Sequence, residues 1–371
     1  MAPVSRVLLT VDAVGGVWQY GIDLARALGS RGVETVIALL GPAPTPEQRA
    51  EAAAILTATL VETGLPLDWM CDGPAPVLAA GEAITRLAIE ANVDLVQFNM
   101  PTLAAATRPS MPVIAVTHGC VATWWEAANP GEPLAPEYRW HRSLTAEGLR
   151  AADMVVAPSD AYGQIVARHY GLSEQPLTVH NGRIPGSIAA HDVSGDFAFT
   201  AGRLWDRVKN SALLDRVAAR LSIPFHAAGA LRGPHGEMIA LAQLRALGQI
   251  DTPALDAWLA QRPVFVSAAS FEPFGLAVLE AASAGCPLVL SDIPAFRELW
   301  DGAATFVEHQ DEDAYARTIE AIFADPARRA ALGSAARARA LRYTPAAMAD
   351  GMMRLYARAL ADTRPTGKVA A

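Results

Sequence analysis

Short apolar runs alternate with helix-favouring stretches from one end of this chain to the other, and that rhythm constrains the fold more than any composition figure. Repeated strand and helix segments are the signature of parallel sheets covered by helices on both faces. In the first half, strands are expected at Arg6–Val11, Thr35–Leu39, Asp94–Phe98, Val113–Thr117, Met154–Ala157 and Leu177–Val179. Helical segments near Trp18–Leu28, Ala75–Ala91, Pro136–Ala152 and Ala161–Tyr170 separate them. From Asn181 to Asp196 the composition turns to Gly, Pro, Ser and small polar residues, which marks a linker. A second alternating set follows, with strands at Phe197–Thr200, Phe225–Ala228, Pro263–Ser267 and Leu288–Leu290 and an edge strand at Thr305–Val307. Helical segments near Asp311–Ala324, Pro326–Arg342 and Pro345–Ala361 end the pattern, and TRPTGKVAA reads as a frayed tail.

At 371 residues the chain exceeds the usual size of one core. The expectation is an α/β protein of two doubly wound, Rossmann-like domains, with ligand bound in a central cleft at the carboxyl ends of the strands. Boundaries fall at 1–182 for an N-terminal domain and 183–345 for a C-terminal domain. Residues 346–371 form a last helix and tail. With 52% apolar residues there is ample material for two buried sheets.

A formal charge of −8 argues against broad nucleic-acid binding, which needs a basic face. Cys71, Cys120 and Cys286 are odd in number and share no metal-ligand spacing, so they read as thiols in a reducing compartment. After Arg6 only the short run VLLTV precedes Asp12, so no secretory leader is expected, and no stretch has the ~18 apolar residues of a membrane span. A cytoplasmic location follows as an expectation. The mean hydropathy of +0.21 leaves a peripheral membrane contact open. Arg328, Arg329, Arg337, Arg339 and Arg342 lie on one alanine-rich helical stretch, read first as a solvated face and second as a lipid-binding one.

Chemistry concentrates in the run SFEPFGLAVLEAASAGCPLVLSD, where seven residues separate Glu272 from Glu280. It reads as a strand end, a tight loop at Gly275 and a helix from Leu276 that Gly285 and Pro287 stop. A helix opening just after a glycine presents unpaired N–H groups that suit a phosphate. Upstream, FTAGRLWDRVKN places Arg203 and Lys209 after a strand, with Lys209 expected to open a helix, as in an anion site. Near the start, LLTVDAVGGVWQYGIDLARAL joins a strand to a helix through Gly15 and Gly16; this is not G-x-G-x-x-G, so the dinucleotide fingerprint is absent. His118 ends the strand VIAVTHGC, where a side chain faces the cleft of such a fold. Asn181 and Gly182 read as hinge residues. Trp124, Trp125, Tyr138 and Trp140 lie in a Pro/Gly-interrupted loop followed by a helix, and their rings could stack on a sugar or apolar ligand or pack on the domain.

Together these runs resemble the retaining glycosyltransferases of family 4, with the GT-B fold and the E-x7-E motif. The resemblance spans nearly the whole chain and is most specific in the C-terminal half. It implies an enzyme that moves a sugar, a hexose by analogy, from a nucleotide-diphospho-sugar to a saccharide, lipid-linked or small-molecule acceptor. By position, Arg203 and Lys209 match the family's basic pair on the diphosphate, although Asn210 stands where a glycine is frequent. Glu272 would face the donor sugar, Phe274, Gly275 and Leu276 the diphosphate, and Glu280 the ribose. His118 matches a histidine that bonds the donor sugar, and Gly15 and Gly16 the turn over the donor phosphates. Domain 1–182 would be the acceptor side and 183–345 the donor domain, and the last helix would return to the N-terminal domain. The catalytic set is thus Arg203, Lys209, Glu272 and His118. No cofactor beyond the co-substrate and no metal are implied. Rival readings are an epimerase or phosphorylase on the same fold and a non-catalytic nucleotide-sugar-binding protein; a nicotinamide oxidoreductase lacks its fingerprint.

Overall fold

The computed structural model describes residues 4–106, 109–184, 195–234 and 236–363. Seven strands form the first sheet: β1 Arg6–Asp12, β2 Glu34–Leu40, β3 Ala58–Glu62, β4 Leu95–Phe98, β5 Val113–Val116, β6 Met154–Ala157 and β7 Leu177–Thr178. All pair in parallel, in the order β3-β2-β1-β4-β5-β6-β7. The second sheet has β8 Ala198–Ala201, β9 Phe225–Ala228, β10 Arg245–Gly248, β11 Val264–Ser267, β12 Leu288–Ser291 and β13 Thr305–Val307, in the parallel order β10-β9-β8-β11-β12-β13. Both orders run outward, return to the first strand and run out the other way. Each sheet therefore has a switch point, beside β1 and β4 in one and β8 and β11 in the other, where such sheets take ligands.

The chain divides into two compact units, one of Met1–Glu126, Gly131–Gly182 and Pro345–Ala371, the other of Ala127–Pro130 and Arg183–Thr344. In the first, helix Gly16–Gly29 buries Tyr20, Leu24 and Leu28 against Met348, Met352 and Tyr356 of helix Pro345–Thr363. Arg31 fixes the start of that last helix, donating to Asp350 at 2.6 and 2.8 Å and to the Ala346 carbonyl at 2.9 Å. The second unit is centred on Phe199, Phe265, Phe274, Phe296 and Trp300. Burying each such ring contributes about 1.5–3 kcal/mol, so these aromatics dominate its core.

Two strands escape the sequence pattern. Both β3 (ATLVE) and β10 (RALG) lie at sheet edges, half exposed, and need no continuous apolar run. Helix Pro46–Ala53 was also unforeseen; a capping box from Thr45 and Gln48 starts it. Trp124 and Trp125 sit on helix Val121–Ala128 rather than in a loop, because nothing in VATWWEAA breaks a helix before Pro130. Lys209 does not open a helix: it closes a single 3₁₀ turn, Arg207–Lys209, and Asn210 at φ +57° passes the chain to helix Ser211–Ala218.

The arginine-rich helix Pro326–Ala340 is not a uniformly solvated face. Arg329 is buried and donates to the Arg262 carbonyl at 3.0 Å, while Arg339 donates to the Leu299 and Asp301 carbonyls at 2.9 and 2.6 Å. Among the described residues no helix is long and apolar enough to cross a membrane. Residues 185–194 of the expected linker and 364–371 of the expected tail lie outside the described residues.

Candidate active site

In the C-terminal unit the site is assembled from the loops after β8 and β11. Asp206, buried, accepts the Val208 N–H, folding the segment after β8 into its 3₁₀ turn. The Val208 carbonyl accepts the Ser270 N–H at 2.9 Å, which joins that turn to the loop after β11. These two backbone anchors set Lys209 against Glu272, and the side chains form an ion pair that is largely withdrawn from water. Arg203 is held from the same turn, donating to Asp206 at 2.8 Å, with its guanidinium 5.8 Å from the Trp205 ring centre. It does not touch Glu272; hydrogen bonds through Asp206, Val208 and Ser270 connect the two.

Helix Leu276–Ala284 begins immediately beyond. Gly275 is its N-cap at φ +91°, and no side chain caps that end. A left-handed residue is needed for the chain to turn from Phe274 into the helix, and an added Cβ would meet Phe296 at 3.1 Å and Glu272 at 3.3 Å. Phe274 is a core residue, so only its backbone remains available to a ligand. The helix N–H groups and dipole thus offer positive potential beside Lys209.

Glu280 sits one turn further in and is paired with Arg183, whose Nε and Nη2 donate to its Oε1 at 2.9 and 2.8 Å. Sequence reasoning missed Arg183 entirely. It follows the Asn181-Gly182 pair, and nothing in HNGRI signals a partner ninety-seven residues away.

In the N-terminal unit the polar groups are neutral and interlocked. Asn99, just beyond β4, donates from Nδ2 to the Thr10 carbonyl at 2.7 Å, which leaves its Oδ1 as acceptor. That oxygen takes the Gln97 amide at 2.9 Å and lies 3.2 Å from His118 Nε2, so Nε2 carries the imidazole proton and Nδ1 is an acceptor. Burial pushes the His118 pKa down to about 3. The ring packs edge-on to Tyr20 at 4.3 Å between centroids. Gln97 also donates to Tyr20 Oη at 3.0 Å and accepts from Tyr356 Oη at 2.5 Å. Gln97, Asn99 and Tyr356 carried no sequence signal of their own.

Asp12 shapes the loop ahead of helix Gly16–Gly29, its Oδ1 accepting the N–H groups of Val14 and Gly15 at 2.9 and 3.1 Å. Gly15 is extended, and an added Cβ there would meet nothing within 4 Å. Neither backbone strain nor packing in the protein itself requires glycine at that position. Among the described residues no group of three or more His, Cys, Asp or Glu side chains could hold a metal ion.

The model of Glycosyltransferase Family 4 matches residues 14–183, and that of Glycosyl transferases group 1 matches residues 237–339. No curated protein sequence matches the chain. Among solved structures, sucrose-phosphate synthase from Thermosynechococcus elongatus superposes with a TM-score of 0.76 at 17% identity, covering 96% of this chain and 100% of its own. HepE from Anabaena, solved with UDP-glucose, gives 0.73 at 18% identity, covering 96% and 99%. A glycosyltransferase from Rickettsia africae gives 0.69 at 18% identity, covering 97% and 99%. Both halves match glycosyltransferase models and both sheets have the expected doubly wound order, so the chain is a glycosyltransferase of the GT-B fold, family 4-like in its first half.

Proposed function

We propose that the protein is a retaining glycosyltransferase that takes a hexosyl group from a nucleotide-diphospho-sugar without a metal ion. The observation that carries this reading is the Lys209–Glu272 pair beside the uncapped start of helix Leu276–Ala284. The physical problem in glycosyl transfer is the charge that develops on the diphosphate as the anomeric C–O bond breaks. Lys209, Arg203 and the amides after Gly275 supply positive potential for it, the role a divalent cation fills elsewhere. Glu272 would then exchange Lys209 for the donor sugar hydroxyls. Glu280, steadied by Arg183, would accept from the ribose. The UDP-glucose found in HepE favours a uridine nucleotide.

The acceptor hydroxyl would attack the face that the diphosphate leaves. Its oxygen bonds to the anomeric carbon, its proton passes to the departing phosphate oxygen, and the configuration is retained. No separate base is needed in this route. His118, neutral at physiological pH, would orient the sugar through Nδ1. Thermal-shift screening of UDP-, GDP- and ADP-sugars identifies the donor, since binding raises Tm by mass action. Proton NMR of the product then reads the anomeric configuration; inversion would sink the retaining assignment, and donor conversion without acceptor would indicate an epimerase instead.

A further inference from the structure

A cavity of about 470 Å³ lies in the N-terminal unit along helix Arg139–Ala151, and none of the donor residues lines it. Its volume is in the range of small-molecule sites. Arg139, Arg142 and Arg150 all line it, together with Ser143, so one helix contributes three arginines to one space. Leu134 and Tyr170 give it an apolar wall.

The charges there are unusual for this chain, whose formal charge is −8. Arg139 and Arg142 are exposed and, among the described residues, have no ion pair or hydrogen-bond partner. Like charges one turn apart on a helix repel, so the pair is locally unfavourable until an anion joins it. Arg150 is fixed at its end of the cavity by a 2.9 Å bond from Nη2 to the Tyr170 carbonyl. His169, also in the lining, has Nδ1 3.2 Å from Glu126 Oε2, and its Nε2 is buried without a hydrogen-bond partner. Planar guanidinium forks match the oxygens of a phosphate, and their weak hydration lowers the cost of exchanging water for it.

We propose that this cavity binds the phosphate group of a small phosphate ester, with the carbon skeleton against Leu134 and Tyr170. Tyr170 also ties the cavity to the loop carrying His118, since its Oη lies 3.0 Å from Cys120 Sγ, two residues beyond His118. On the glycosyl-transfer reading above, on which this step rests, the bound ester is the acceptor.

The test is calorimetric titration of the full-length protein with glucose 6-phosphate, with glucose as the uncharged control. A second arm measures sedimentation with phosphatidylcholine vesicles with and without phosphatidic acid. Saturable binding of the sugar phosphate but not glucose is expected, weakened roughly tenfold or more by Arg142→Gln and further by Arg139→Gln/Arg142→Gln. Binding confined to phosphatidic acid vesicles and lost in the same variants assigns the phosphate to a lipid headgroup. UDP affinity, measured on each sample, should not change, which separates loss of the cavity from loss of the fold. No binding in either arm, or binding indifferent to the double substitution, overturns the proposal. Absence of UDP binding with sugar-phosphate binding intact would instead remove the donor assignment and leave the cavity standing.

Discussion

The two units hold their functional side chains by opposite means. The C-terminal unit uses ion pairs, Lys209 with Glu272 and Arg183 with Glu280, set on loops after β8 and β11. The N-terminal unit uses a neutral chain of amides, phenols and one imidazole running from Tyr356 through Gln97 and Asn99 to His118. On the proposed glycosyl-transfer reading, the difference follows what each unit would handle. A leaving diphosphate needs mobile positive charge, and an ion pair can trade its carboxylate for a phosphate at modest net cost. Sugar hydroxyls need fixed, uncharged donors and acceptors, whose geometry survives only if every partner is satisfied.

The largest expected effect tests the charged side. Lys209→Ala should lower turnover by roughly 10²–10³, the loss typical of one transition-state donor; near wild-type steady-state rates would contradict the leaving-group role. Next, Glu280→Ala should weaken nucleotide binding by roughly tenfold or more, since hydrogen bonds to a charged group contribute about 1.5–3 kcal/mol. Unchanged donor affinity by calorimetry would leave Glu280 a purely structural partner of Arg183.

On the neutral side, His118→Ala should reduce turnover by about tenfold, with the profile between pH 7 and 8 keeping its shape. The histidine is already uncharged there. Its folded pKa, pushed down to about 3, lies below the ~6.5 of an unfolded chain. Between those values the unfolded state binds more protons, so acidification through this window should erode the stability of the wild type more than that of His118→Asn. Equal slopes of Tm against pH would mean the imidazole is not withdrawn from water. Smallest of all, Tyr356→Phe should cost about 1–2 kcal/mol in urea unfolding, by leaving the buried Gln97 oxygen without its donor, with little change in donor affinity.

Most of the fold was legible because central strands are continuous apolar runs, as Val113–Val116 and Val264–Ser267 illustrate. The edge strands β3 and β10 were not; β10, for one, carries an exposed Arg245 and no β-branched residue to distinguish it from a loop. Within the site, residues bound to a glycine turn or a strand end could be named in advance. Lys209 and Glu272 do meet, but their meeting depends on a bond from Ser270 to Val208 between segments some sixty residues apart. Arg183, Asn99 and Gln97 were hidden for the same reason: each owes its position to a long-range partner, and a lone Arg, Asn or Gln advertises none.

The return of helix Pro345–Thr363 to the first unit has a consequence for how the molecule is made. During synthesis the N-terminal sheet emerges first, yet Met348, Met352 and Tyr356, which finish its interior, are translated only after the entire second sheet. The earlier lobe must therefore wait, partly open, for its last nineteen-residue piece. A truncation at Thr344 would injure the half of the protein farthest away in sequence, and any chimera that exchanges C-terminal units should carry this helix along with its own N-terminal partner.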